Sequence, residues 1–96
     1  MENIATSIDL AIVDKFRRRF PDLAINEPRM ATADIAVEFR RFNVGDIVLF
    51  PMSEYNYTSV RAAPASIMGK QMVENGYKWS TTLDYGNKSV AVIRTR

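Results

Sequence analysis

Gly69-Lys70 is the first pair in this sequence to invite a chemical reading, because glycine followed by lysine closes the loop that cradles nucleotide phosphates. That loop also needs a glycine five residues before Gly69, where Pro64 stands, and a hydroxyl after the lysine, where Gln71 stands. It is therefore not a phosphate loop. The 96 residues include no histidine and no cysteine, which removes imidazole and thiolate mechanisms, the usual zinc ligands and disulfides. A Ser-Lys dyad is the hydroxyl chemistry left over, and no spacing selects one. The carboxylates are scattered: Asp14 and Asp22 stand eight apart, Asp34 and Glu38 four apart, and no paired acids or metal triad emerge. The expectation is a non-enzymatic chain with no catalytic residues, metal or cofactor.

Binding chemistry has more material. Residues 1–39 hold five basic side chains against seven acidic ones, whereas residues 40–96 hold eight against four, so the C-terminal part is cationic. Within it Tyr55, Tyr57, Arg61, Lys70, Tyr77, Lys78 and Trp79 interleave rings with cations. Single-stranded nucleic acid is bound by such side chains, each stacked base contributing about 1–3 kcal/mol while cations track phosphates. The candidate nucleic-acid surface is Arg40, Arg41, Arg61, Lys70, Lys78 and Tyr57. Trp79 shares a strand face with Leu83 and is expected mainly in the core, as are Met68 and Met72 at helical spacing. The alternative is a protein interface made by Tyr55 and Tyr57, in the tyrosine-bearing loop 52–57, with Arg17, Arg18 and Arg19; tyrosine supplies large contact area at low entropic cost. The arginine run also has a local explanation as charge complementing a helix end.

These side chains must be positioned by a small set of elements. Ile8, Ile12, Phe16 and Phe20 recur every four residues, which predicts an amphipathic helix from an N-cap at Thr6 or Ser7 to about Phe20, stopped by Pro21. Residues 21–30 read as a connecting loop. From Thr32 to Phe42 the pattern alternates, with Ile35, Val37 and Phe39 on one side, and predicts a half-buried strand. Asn43 to Asp46 reads as a turn, and Ile47-Val48-Leu49-Phe50 as a buried strand ended by Pro51. A second helix follows, capped by Asn56 or Thr58 and stopped at Asn75-Gly76, which Pro64 either kinks or restarts. Tyr77 to Asp84 and Ser89 to Thr95 alternate around Tyr85-Gly86-Asn87 and predict a closing hairpin.

The order Val44-Gly45-Asp46, an apolar strand closing on Phe50-Pro51, Ser59-Val60-Arg61, Gly69-Lys70, the aromatic strand Tyr77-Lys78-Trp79 and a final strand ending in arginine resembles small uncharacterised proteins of tailed bacteriophages. The resemblance covers residues 43–96 and implies a phage or prophage origin with a strand-helix-hairpin plan. It implies no established activity.

The expected fold is α+β: an N-terminal amphipathic helix, a small antiparallel sheet of about four strands, and one helix inserted before the C-terminal hairpin. Residues 1–30 form the helix and loop, and 31–96 the strand-strand-helix-hairpin core of one folding unit. Such a plan covers one sheet face and leaves the other open, which allows a homodimer. Met1 to Asp14 does not have the charge order of a secretory signal, and no apolar run approaches a membrane span, so a cytoplasmic location is expected. The expected role is that of a phage accessory protein that binds nucleic acid or, alternatively, inhibits or adapts a host protein such as RNA polymerase, a nuclease or a CRISPR-type complex.

Overall fold

The computed structural model describes the backbone of residues 4–96 and the side chains from Ala11 onward. Four strands form one sheet in the order β1-β2-β4-β3: β1 (Arg29–Met30), β2 (Ile47–Pro51), β3 (Trp79–Asp84) and β4 (Ser89–Arg94). Strands β2, β4 and β3 are antiparallel to their neighbours, while β1 lies parallel to β2. The sheet is thus mixed, and the fold α+β. A 3-10 turn over Tyr85–Asn87 closes the β3-β4 hairpin, with Lys88 in the left-handed region at φ 51°.

Side chains alternate across the two central strands because successive residues of a pleated strand point to opposite faces. Val48, Phe50, Val90 and Val92 pack on one side with Phe39, Phe42, Val60, Ala63 and Met68. Ile47, Leu49, Ala91 and Ile93 pack on the other with Ile12 and Phe16. Helix α1 (Ile4–Arg19) therefore covers one face, and α2 (Ile35–Arg40) and α3 (Tyr57–Asn75) cover the other. Neither face of the central strands is left open, in contrast to the expectation of one bare face. Helix α1 begins at Ile4, ahead of Thr6 and Ser7, so neither is its cap; the side chain of Ile8 lies outside the described residues.

The predicted strand over 32–42 is instead the short helix α2 with flanking turns. Its cause is Glu38, whose carboxylate is wholly buried. Oε1 accepts from the Arg29 guanidinium at 2.7 Å, and Oε2 from the backbone N–H groups of Thr32 and Ala33 at 2.8 and 2.9 Å. Those bonds hold Glu38 against the residues just ahead of its own helix, a reach that an extended segment does not provide. The predicted loop 21–30 likewise ends in β1, where Ala31 N–H donates to the Leu49 carbonyl at 2.8 Å.

Helix α3 is capped by Asn56, whose side chain accepts from Ser59 N–H at 3.2 Å, and ends at Gly76 with φ 72°. It runs through Pro64, whose missing N–H leaves the Val60 carbonyl without its helical donor, and its break falls four residues on, at Met68 (φ −112°, ψ 18°). Gly45 is required by its surroundings: it has φ 90°, and a Cβ there would strike the Ala24 carbonyl oxygen. Among the described residues no helix is long and apolar enough to cross a membrane.

Candidate nucleic-acid interface

The starts of β2 and β3 and the finish of β4 share one end of the sheet, since Ile47 pairs with Ile93 and Trp79 with Arg94. All three helices finish there too. Helix α2 leads through Phe42 to β2, and α3 leads through Gly76 to β3. The segment after α1 borders Thr95 in a hollow lined by Phe20, Pro21, Asp22 and Leu23, and Asn26 N–H then donates to the Gly45 carbonyl at 2.9 Å. Three helix C-termini concentrate partial negative charge at this end, which is the reason cations are stable there. Arg17, Arg18 and Arg19 complete α1, and Arg40 completes α2.

Contacts between segments remote in sequence assemble the centre of this end. The Arg94 guanidinium lies 3.8 Å from the Tyr77 ring centroid and 5.7 Å from that of Trp79. Its Nη1 donates to the Phe42 carbonyl and its Nε to the Arg96 carbonyl, both at 2.9 Å. Trp79 packs against Phe39 at 6.0 Å and edge-on to Phe42 at 6.2 Å, so it is half-buried core, and its buried indole N–H has no acceptor among the described residues. The Lys78 carbonyl accepts from both Thr95 and Arg96 N–H, at 2.8 and 3.4 Å. Two residues opposite one make a β-bulge, a distortion that re-aims side chains at the end of a strand.

The segments 40–42, 77–79 and 94–96 are thereby joined. Arg40, Arg41, Lys78 and Arg96 are exposed in these joined segments, at the same end of the sheet as the Arg94–Tyr77–Trp79 stack, and none of the four forms an ion pair among the described residues. Glu38, the nearest acid in sequence to Arg40 and Arg41, is engaged by Arg29 and two backbone amides, and the Asp46 carboxylate is occupied by Asn26 Nδ2 and Asn43 N–H, both at 2.8 Å. The arrangement can hold a polyanion through guanidinium and ammonium groups beside a half-exposed tyrosine ring.

The structure thus brings together Arg40, Arg41 and Lys78 of the sequence-derived set. Lys70 is exposed in the second half of α3, and Arg61 is exposed in its first turns, about 20 Å of helix rise from Gly76. Tyr57, the first residue of α3, is half-buried against the core. Of the alternative set, Tyr55 turns its ring edge-on to Phe50 at 5.2 Å and donates its hydroxyl to the Ala33 carbonyl at 2.6 Å. Burial pushes the Tyr55 phenol up, and Glu38, Glu54 and Asp34 add to the rise. Arg17 pairs loosely with Asp14 at 3.9 Å, Arg18 is exposed, and Arg19 lies over Phe20 at 5.3 Å.

Arg94 and Arg96 are absent from the sequence-derived site, and the strand pattern carries a signal for only one of them. Position 94 continues the alternation of β4, whereas the bulge that sets Arg96 is invisible in residue types. A further hollow of about 380 Å³ lies between α1 and residues 25–28, lined by Val13, Asp14, Arg17, Ile25, Asn26, Glu27 and Pro28. Its charges are of both signs, and no set of groups converges on a point within it.

Fold and site together define a small α+β protein whose sheet is covered on both faces and whose helix C-terminal end carries a basic and aromatic cluster. No protein-family model, no curated protein and no solved structure matches the chain.

Proposed function

We propose that this protein acts by binding, without catalysis, and that its ligand is nucleic acid held at the cationic end. The observation that carries the reading is the joining of segments 40–42, 77–79 and 94–96 through Arg94, which brings the exposed Arg40, Arg41, Lys78 and Arg96 to one end of the sheet, none of them in an ion pair among the described residues. Arg94 is held by two carbonyls and a ring, so it positions Tyr77, while the four exposed cations are the groups offered to phosphates. On the resemblance of residues 43–96 to small tailed-phage proteins, we read the role as that of a phage accessory protein in the cytoplasm of an infected cell. Binding of a host protein is the second reading. Tyr55, its intended anchor, spends its hydroxyl and one ring edge inside the fold, which favours the first.

The test is an anisotropy titration of labelled single- and double-stranded DNA and RNA across a range of salt. Four phosphate contacts predict a log-log salt slope of about −3 on a single strand, and Arg40→Ala with Arg41→Ala should reduce it by about 1.4. Arg61→Ala, remote from the cluster, should leave the slope unchanged. Absence of binding at low salt, or equal loss in Arg61→Ala, would refute the assignment.

A further inference from the structure

The two edges of the sheet are unlike. Edge strand β1 has two residues, follows Pro28 and carries Arg29, features that keep an edge from pairing with another chain. Edge strand β3 has six residues, as long as β4, and Trp79 to Leu83 contain no charge, proline or glycine.

The hydrogen-bond pattern shows which groups this edge presents. Gly45 N–H donates to the Arg94 carbonyl at 2.8 Å and Arg94 N–H to the Asp46 carbonyl at 3.2 Å, so position 94 of β4 bonds toward β2. Thr95 N–H donates to the Lys78 carbonyl at 2.8 Å, so the alternate positions bond toward β3. In the register Ser80↔Ile93, Thr82↔Ala91 and Asp84↔Ser89, the alternation of an antiparallel ladder assigns Ser80, Thr82 and Asp84 to β4. The backbone N–H and C=O groups of Trp79, Thr81 and Leu83 then point away from the sheet, without partners among the described residues.

The strand is also complementary to itself. Lys78 precedes it and Asp84 ends it, on the same face of the pleat as Ser80 and Thr82. Laid antiparallel on a second copy with Thr81 opposite Thr81, Trp79 meets Leu83, Ser80 meets Thr82, and Lys78 meets Asp84. All three outward residues then exchange both backbone bonds; Lys78 stands opposite Asp84, whose carboxylate is mostly buried and accepts from Asn87 Nδ2 at 2.9 Å, and Ser80 stands opposite Thr82, whose hydroxyl accepts from Lys15 Nζ at 2.9 Å. A parallel arrangement would set each charge beside its like.

We propose that β3 pairs edge to edge with β3 of a second copy of this chain about a two-fold axis at Thr81, giving a dimer with one continuous eight-stranded sheet. Neither the axis nor the pairing depends on the nucleic-acid reading.

The test uses the full chain in two measurements. Light scattering across a concentration series should give a mass of two chains, and Thr81→Pro should weaken association by at least about tenfold while preserving circular dichroism. Proline is suited to this position because the Thr81 N–H serves no bond within the monomer. In the wild-type protein, the amides of Trp79, Thr81 and Leu83 should become protected from hydrogen exchange as concentration rises. A wild-type monomer at the highest concentration, a dimer indifferent to Thr81→Pro, or unprotected amides at these three residues in the associated state would each overturn the proposal.

Discussion

Replacing Glu38 tests the account of α2 most directly. Its carboxylate has no solvent exposure and receives two backbone N–H groups and a guanidinium within 2.7–2.9 Å. Glu38→Ala strands three donors, each costing about 1–3 kcal/mol if left dry. The Arg29 side chain is 34% exposed and Thr32 lies at the surface, so water recovers part of that cost. The remainder is about 3 kcal/mol, the lower end of what removing one member of a buried ion pair costs. For a chain of this size that lowers the thermal midpoint by about 12–24 °C. Glu38→Gln retains the shape and one acceptor, and should lose about half as much.

Acid titration supplies a second readout on the same residue. Burial raises the Glu38 carboxyl, but the Arg29 hydrogen bond, the two backbone donors and the Arg29 charge outweigh it and hold it below the ordinary 4.5. A carboxyl that ionises at lower pH in the folded state than in the unfolded one stabilises the fold fully above the unfolded value. That contribution disappears as pH falls through the folded value. Urea unfolding followed from neutral pH to about pH 3 should therefore show a loss of stability below about pH 4.5 that Glu38→Gln lacks. A Glu38→Gln protein as stable as the wild type at pH 7, with the same acid slope, would refute the reasoning.

Two further outcomes follow from local geometry. Gly45→Ala forces a side chain into a backbone at φ 90° and onto the Ala24 carbonyl, and should cost about 2–4 kcal/mol by denaturant titration. Tyr55→Phe removes the hydroxyl donated to Ala33 and should cost about 1 kcal/mol; the same titration should show the wild type losing stability as pH rises through the elevated phenol range, and the variant not.

The elements that the sequence reveals are those whose limits are enforced locally. Pro21 follows α1 closely, Pro51 closes the Ile47–Phe50 run, Gly76 supplies the left-handed residue after α3, and Tyr85 to Asn87 turns the hairpin. Residues 32–42 mislead because Ile35, Val37 and Phe39 alternate like a strand, while Ile35 and Phe39, or Phe39 and Phe42, are equally spaced for a helix face. What decides between them is Glu38 bonding to Arg29 and to two backbone amides, a tertiary choice. Strand β1 is too short to carry a period at all, and its parallel pairing depends on where α2 returns the chain. The same limit applies to the site. Arginines at 40 and 41 and a lysine at 78 are visible as charges, but the carbonyl of Phe42 that ties Arg94 to them is not a property of any residue type.

Trp79 is the one tryptophan of the chain, and it touches Phe39 of α2, Phe42 just beyond that helix, Tyr77 ahead of its own strand, and Arg94 of β4. The cationic end consequently carries its own optical probe. Indole emission, excited to the red of the four tyrosines, reports a single location, where a charge settling over Tyr77, a displaced guanidinium or a loosened α2 each alters the field around one side chain. Events at the far end of α3 leave that signal unchanged, so an unlabelled sample distinguishes which end of the molecule a ligand has reached.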